Sequence, residues 1–204
     1  AFGMLKQANI SGQILLNGID ISTLSDGDWR QLRGTKISMI FQNPGAYLNP
    51  NRTVENHFKD LFRAHGESYE IARVIDMLKL VHLNDGERIL QSYPFQLSGG
   101  MQQRLAIALS LILKPSIVFA DEPTSALDML VQASVLDLMK EVTQALGATV
   151  IIVTHNIKSA ARIANSIGVM NKGQLVEVGS TEEVMVCPKD EYTRVLLDSV
   201  TKVV

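Results

Sequence analysis

Polar side chains follow three apolar runs that have the composition of buried strands. Gln42 comes directly after the first run, Asp121 and Glu122 come directly after the second, and His155 comes two residues after the third. In open α/β sheets, ligands bind outside the carboxyl ends of the strands, so an amide, two carboxylates and an imidazole could converge on one site. A single histidine at a strand end is usually structural, and an Asp-Glu pair can simply cap the next helix. Three such coincidences in one chain favour a ligand site. The runs are residues 37–41, 117–120 and 150–153.

A second candidate for ligand binding is the segment Ser98-Gly99-Gly100-Met101-Gln102, which precedes an apolar helical stretch. Ser98 can cap that helix, and the two glycines allow a ligand to approach the exposed backbone N–H groups. Such a helix N-terminus is suited to an anion, because its N–H groups and its dipole both favour negative charge. Taken alone, Ser-Gly-Gly is more often a glycine turn with an ordinary cap.

The elements that must position these residues alternate between apolar strands and helices. Apolar residues recur at helical spacing between about 53 and 113, and a later helix is predicted to stop at Gly147. The short run at 116–120 is typical of a strand buried on both faces. This alternation predicts an α/β sheet with a mostly helical lobe inserted in its middle. Further strands are predicted near 13–17, 36–41 and 149–153, a hairpin near 167–178, and helices near 157–164, 182 and 192–199.

The composition excludes several classes of protein. The 204 residues are 46 % hydrophobic and 20 % charged, which predicts a folded soluble domain rather than a disordered chain. A net charge of −2 provides no positive field to attract nucleic acid. Cys187 is the single cysteine, so no internal disulfide framework exists, and the four histidines lack zinc-site spacing. The longest mostly apolar stretch, 105–113 with Ser110 within it, is far shorter than the ~20 residues that span a bilayer, and no signal peptide is recognisable.

Two stretches carry a family resemblance. Residues 97–104 (Leu-Ser-Gly-Gly-Met-Gln-Gln-Arg) and 117–128 (Ile-Val-Phe-Ala-Asp-Glu-Pro-Thr-Ser-Ala-Leu-Asp) resemble the signature motif, Walker B motif and D-loop of ATP-binding cassette (ABC) ATPases. Gln42 is similar to the Q-loop glutamine and His155 to the switch histidine of that family. The resemblance implies an α/β fold with a P-loop NTPase-like ABC ATPase core sheet. It also implies a single domain over 1–204 with a helical subdomain at about 53–113.

The resemblance assigns a role to each strand-end residue. Asp121 would hold Mg²⁺ through its water shell, and Gln42 would touch the metal or the attacking water. Glu122 would polarise that water as general base, and His155 would contact the γ-phosphate of ATP. These roles agree with phosphoryl transfer, which is catalysed mainly by positioning and by stabilising charge on the transferred group.

The resemblance also implies a role for the glycine-rich segment. In the family, two domains form a dimer that binds two nucleotides between them. Ser98, Gly99 and Gly100 would bind the γ-phosphate of the ATP held by the opposite protomer, and Gln102 is counted among the nucleotide-binding residues. Asp128 would communicate across the interface. The implied partner is therefore a second ATP-binding subunit, in a homodimer or a heterodimer.

A narrower resemblance joins residues 41–50 and 188–197 to the ATP-binding subunits of dipeptide, oligopeptide and nickel importers, although Asp190-Glu191 replaces the usual His-Pro. It implies a peripheral subunit at the cytoplasmic face of the cell membrane. Its partners would be integral membrane permease subunits and, indirectly, an extracytoplasmic substrate-binding protein. The cargo would be a peptide, nickel or a metal chelate. The helical lobe would dock on the permease, with Pro50, Asn51 and Phe58 near the docking groove.

Two other functions stay open. One is a soluble ABC-type ATPase that acts on nucleic acid or the ribosome, and the other is an interaction module that binds no nucleotide. The net charge, the scattered Lys and Arg residues and the lack of a long coiled-coil insertion argue against a nucleic-acid partner.

The phosphate-cradling Gly-x-x-x-x-Gly-Lys-[Ser/Thr] loop is missing, since the chain contains no Gly-Lys dipeptide. Residues 1–9 resemble the end of the helix that normally follows this loop. The chain is then either an N-terminally truncated ABC ATPase or a natural degenerate subunit. On both interpretations it should hydrolyse ATP poorly or not at all, because the loop supplies most contacts to the β- and γ-phosphates.

Overall fold

The structure, a computed structural model, describes residues 11–125 and 127–201. The predicted helix end over residues 1–9 lies outside this part of the chain. The described residues begin with a small antiparallel hairpin of β1 (Leu15–Leu16) and β2 (Ile19–Asp20), which turns at Asn17-Gly18. Both turn residues have positive φ, as a tight two-residue hairpin turn requires.

Three parallel strands, in the order β3-β4-β5, form the central sheet. They are β3 (Ile37–Ile40), β4 (Ile117–Asp121) and β5 (Thr149–Val153). Ile37 pairs with Ile117, and Ile117 pairs in turn with Thr149. The three strands therefore end at one edge of the sheet.

Only one face of this sheet is covered within the described residues. Val118 and Ala120 are buried beneath helices, whereas Met39, Phe119 and Ile151 on the other face are 37 %, 37 % and 43 % exposed. The expectation that β4 is buried on both faces is therefore wrong for this part of the chain. The sequence of an apolar strand does not show whether one face or both faces of that strand are covered.

Four helices lie between β3 and β4, after a short turn of helix α2 (Pro44–Tyr47). Their apolar sides meet in one core with the covered face of the sheet, and Phe58 and Phe62 are wholly buried in it. Phe58 is therefore not available as a docking residue, whereas Pro50 and Asn51 are exposed. The four helices are α3 (Val54–Ala64), α4 (Ile71–Leu80), α5 (Gly86–Gln91) and α6 (Gly99–Leu111).

The second half of the chain completes the covered face and adds a hairpin. Its elements are α7 (Met129–Leu146), α8 (Ile157–Ile163), β6 (Ser166–Asn171), β7 (Gln174–Ser180), α9 (Thr181–Val186) and α10 (Glu191–Thr201). Helix α7 ends where predicted, because Gly147 adopts a left-handed conformation with φ 66°. The antiparallel strands β6 and β7 turn at Lys172-Gly173 and bury Ile167 and Val169 against α9.

The sequence prediction missed helix α1 (Asp26–Leu32). Its N-terminus is a capping box: Ser25 Oγ accepts the Asp28 N–H, and Asp28 Oδ2 accepts the Ser25 N–H at 3.1 Å. Ser-x-x-Asp is a weaker form of the usual capping sequence, and α1 buries no residue, so no apolar stripe marked it. Among the described residues, no helix combines the length and the hydropathy needed to cross a membrane.

Candidate active site

The carboxyl edge of the central sheet carries all of the predicted strand-end residues. Asp121 is the last residue of β4 and lies opposite Val153, the last residue of β5. The N–H of Glu122 donates to the carbonyl of Val153 at 2.9 Å, which extends the ladder by one residue. Gln42 is exposed and comes two residues after β3. The parallel register thus places an amide, two carboxylates and an imidazole along one edge.

Glu122 and His155 are in direct contact at this edge. Glu122 Oε1 accepts the backbone N–H of His155 at 2.9 Å and lies 2.6 Å from its ring Nδ1. The Glu122 side chain is 20 % exposed, whereas the His155 side chain is 80 % exposed. The carboxylate is thus held in place while the other edge of the imidazole faces outward.

The backbone at Glu122 is strained. Its φ of 46° lies in the left-handed region, which few residues other than glycine, asparagine and aspartate adopt. Such conformations cost free energy, persist where neighbouring structure enforces them, and cluster at functional sites. Here the ladder bond to Val153 and the two contacts to His155 enforce it. The sequence Asp-Glu gave no indication of this conformation.

Asp121 suits Mg²⁺ better than it suits a transition metal. Mg²⁺ is usually held by one or two carboxylates together with waters and substrate phosphates, rather than by a full set of protein ligands. Asp121 is exposed at the strand end, and no group of three or more His, Cys, Asp or Glu suited to a metal occurs in the described residues. The donor set therefore fits a magnesium–phosphate complex.

The glycine-rich segment forms the N-terminus of α6, separate from the strand-end group. Ser98 is the N-cap, and its Oγ accepts the N–H of Met101 at 3.3 Å. A Cβ on Gly100 would lie 3.3 Å from Cγ1 of Val131, so the start of α6 lies close to the start of α7. Gly99 and Ser98 are exposed, so the free N–H groups of α6 are accessible to an anion.

Asp128 caps a helix of its own chain. It is the N-cap of α7, and its Oδ1 accepts the N–H of Val131 at 3.0 Å. The side chain of Gln132 donates to the carbonyl of Leu127 at 2.8 Å and fixes the preceding residue. Asp128 remains exposed, so the cap and a role at an interface are compatible.

Gln102 is turned away from the exposed N-terminus of α6. Its Nε2 donates to the carbonyls of Pro94 at 2.8 Å and Leu97 at 3.2 Å. Both donors of the amide are therefore engaged within the chain. In this structure Gln102 supports the turn before Ser98, and the prediction that it binds nucleotide finds no support in its geometry.

Arg104 lies beside the glycine-rich segment, and the sequence reasoning gave it no role. Its guanidinium donates to Ser134 Oγ at 3.1 Å, and with Ser98 and Gly100 it lines an open cleft of about 420 Å³. Arg104 follows Gly100 by four residues, which places both on one side of α6. The four-residue spacing from Gly100 was the feature of the sequence that could have placed Arg104 beside this cleft.

Comparison with known proteins gives one consistent assignment. The model of the family described as "ABC transporter" matches residues 3–125. The dipeptide transport ATP-binding protein DppD of Caldanaerobacter subterraneus is 42 % identical over 198 residues, which cover 95 % of this chain and 60 % of that protein. The oligopeptide transport protein OppD of Lactococcus lactis subsp. cremoris is 39 % identical over 95 % of this chain and 58 % of its own length. The glutathione import protein GsiA of Salmonella paratyphi A is 42 % identical over 89 % of this chain and 30 % of its own.

The chain therefore spans no more than about three fifths of these relatives. Among solved structures, the dimeric ATP-binding cassette MJ0796 in a post-hydrolysis state with ADP and Pi is similar with a TM-score of 0.70 and 30 % identity. That match covers 84 % of this chain and 74 % of the cassette. The parallel sheet with helices packed on it is thus the fold of an ABC ATPase cassette, as the sequence predicted.

Proposed function

Since this chain belongs to the ABC transporter family, we propose that it is part of an ATP-hydrolysing subunit that energises an importer of peptides. The observation that carries this proposal is the Glu122–His155 contact beside Asp121, at the carboxyl edge of the parallel sheet. The names of the relatives, which are dipeptide, oligopeptide and glutathione proteins, favour peptides over nickel or a metal chelate as the cargo.

The proposed chemistry divides among the strand-end residues. Asp121 would hold Mg²⁺ through water, and the metal would supply neutralisation of the charge on the phosphates of ATP. The carboxylate of Glu122 would accept a proton from the attacking water as the water oxygen bonds to the γ-phosphorus and ADP leaves, and Gln42 would orient that water or touch the metal. His155 keeps Glu122 in position through its N–H and offers its exposed ring to the γ-phosphate. This arrangement supplies positioning and charge stabilisation, which are the main sources of rate in phosphoryl transfer.

The remaining residues act in a dimer. The accessible N-terminus of α6, with Ser98, Gly99 and Gly100, would bind the γ-phosphate of ATP on a second ATP-binding subunit. Asp128, which is exposed at the start of α7, would lie at the contact between the two subunits. The ATPase dimer would bind permease subunits at the cytoplasmic face of the membrane, and these would receive cargo from an extracytoplasmic binding protein.

A complete phosphate site requires a loop that the chain does not contain. For this reason we propose that the 204 residues alone do not turn over ATP, and that turnover appears when a segment with the phosphate-binding Gly-x-x-x-x-Gly-Lys-[Ser/Thr] loop is joined ahead of them. The isolated chain then serves as the baseline for every activity measurement.

The test replaces the proposed base. Glu122→Gln in the joined protein should lower the ATP turnover number by about 10²- to 10⁴-fold, the usual contribution of a general base, while MgATP still binds. It should also trap a dimer in MgATP, which light scattering would detect. Glu141→Gln, on the exposed side of α7, is the control and should leave turnover unchanged. Unchanged turnover in Glu122→Gln would contradict the role of Glu122 as base.

A further inference from the structure

A close contact joins the segment after Gln42 to the helix that begins at Ser98. Helix α2 follows Gln42 and packs on α6 with Gly45 facing Gln102. A Cβ built on Gly45 would collide with Oε1 of Gln102 and would lie 3.4 Å from its Cδ. The φ of Gly45 is outside the left-handed region, so it is the lack of a Cβ, and not the backbone conformation, that permits this close approach.

The other end of the same amide holds the turn that carries Ser98. Nε2 of Gln102 donates to the carbonyls of Pro94 and Leu97, at 2.8 and 3.2 Å. Leu97 is the residue before the N-cap, and its own N–H donates to the carbonyl of Pro94 at 3.1 Å. One side chain thus touches the segment after Gln42 with its oxygen and the turn before Ser98 with its nitrogen.

We propose that Gln102 is a positioning residue that couples the segment after Gln42 to the orientation of Ser98 and the N-terminus of α6. Gly45 and Gln102 are both half-buried, and the amide of Gln102 is held at its nitrogen by two carbonyls, so a displacement at its oxygen is passed on to those carbonyls. A shift of Gly45 toward α6 must move the Gln102 amide, and this movement breaks or bends the two hydrogen bonds that hold the turn. The functional importance of this coupling depends on the proposed function, whereas the contacts themselves do not.

The test is a double-mutant cycle of Gly45→Ala and Gln102→Ala, with Gly27→Ala as the matched control. A Cβ on Gly27 meets only Ser25 Oγ, at an ordinary 3.6 Å. Gly45→Ala should accelerate hydrogen exchange of the Leu97 and Met101 amides by about tenfold, because local opening relieves the collision with Gln102, and the free energy of unfolding should fall by no more than the matching value of about 1.4 kcal/mol. Gln102→Ala should do the same, and the double variant should be no faster than either single variant, since the truncated side chain leaves room for the Cβ.

A kinetic measurement separates positioning from general stability. In the joined protein, Gly45→Ala and Gln102→Ala should each lower kcat for ATP several-fold with little change in KM, and Gly27→Ala should change neither. Additive exchange rates in the double variant, or unaltered exchange in Gly45→Ala, would overturn the coupling. If the cycle is non-additive but Glu122→Gln leaves turnover unchanged, the proposed function fails while the positioning role of Gln102 stands.

Discussion

Glu122 and His155 should contribute unequally to the order of the loop after β5. Glu122 Oε1 accepts the backbone N–H of residue 155 and also contacts the imidazole ring. His155→Ala removes only the ring, which is 80 % exposed. Glu122→Ala removes the acceptor of the backbone N–H as well, and that carboxylate is only 20 % exposed.

The two losses differ in size. A contact made by an exposed polar or charged side chain contributes about 0–1 kcal/mol, so His155→Ala should cost about 0.5 kcal/mol. A hydrogen bond to a charged group contributes about 1.5–3 kcal/mol, so Glu122→Ala should cost about 2 kcal/mol. Glu122→Gln retains an acceptor oxygen and should fall between them. The strain of the left-handed conformation remains in all three variants, so it largely cancels from the comparison.

Hydrogen exchange of the amide at residue 155 measures this difference directly. Because about 1.4 kcal/mol corresponds to a tenfold rate, the corrected exchange rate should rise about twofold in His155→Ala and about thirtyfold in Glu122→Ala. Glu141→Ala, another carboxylate on the same protein, is the control and should change nothing. Equal acceleration in the two variants would refute the reasoning, because the ring rather than the backbone bond would then hold the loop.

Two further predictions concern stability. Phe62→Ala should lower the free energy of unfolding by about 3–5 kcal/mol, because Phe62 is wholly buried. The control is Phe95→Ala, at a residue that is 68 % exposed, and it should change the free energy of unfolding by less than about 0.5 kcal/mol. Urea unfolding measures both changes. Burial and then the nearby Glu55 carboxylate raise the pKa of Tyr69 to about 12 from its usual 10.0. The folded protein therefore keeps this phenol neutral after the unfolded chain has ionised it, and the resulting stability is present below pH 10 and is lost toward pH 12. Tyr69→Phe should show a shallower fall of the urea midpoint across that range, and an identical fall would contradict this assignment.

The sequence predicted those helices and strands whose bounds are marked by residues only a few positions apart. The β-branched run Thr149–Val153 is β5 with the same bounds, and Gly147 ends α7 through its left-handed conformation. The strand-end positions of Asp121, Glu122 and His155 were predictable from the apolar runs, because these residues lie at the end of an apolar strand or just after it.

Features set by distant parts of the chain were not predictable. The coverage of Phe119 depends on which helices reach each face of the sheet, and the apolar run around it carries no such information. The left-handed backbone of Glu122 is enforced by β5 and by the loop after it, 31 or more residues along the chain. The inward turn of Gln102 depends on Pro94 and Gly45, and only the folded arrangement brings these together.

The topology of the central sheet also sets an order for folding. Strand β3 pairs only with β4 among the described residues, and four helices separate the two along the chain. Helices form through local contacts, whereas a parallel pairing must first close a long loop and is correspondingly slow. We therefore expect α3–α6 to acquire structure while β3 still lacks a neighbour. The apolar residues of β3 then remain exposed to other chains until β4 has formed, and chaperones would help to protect the chain at this stage.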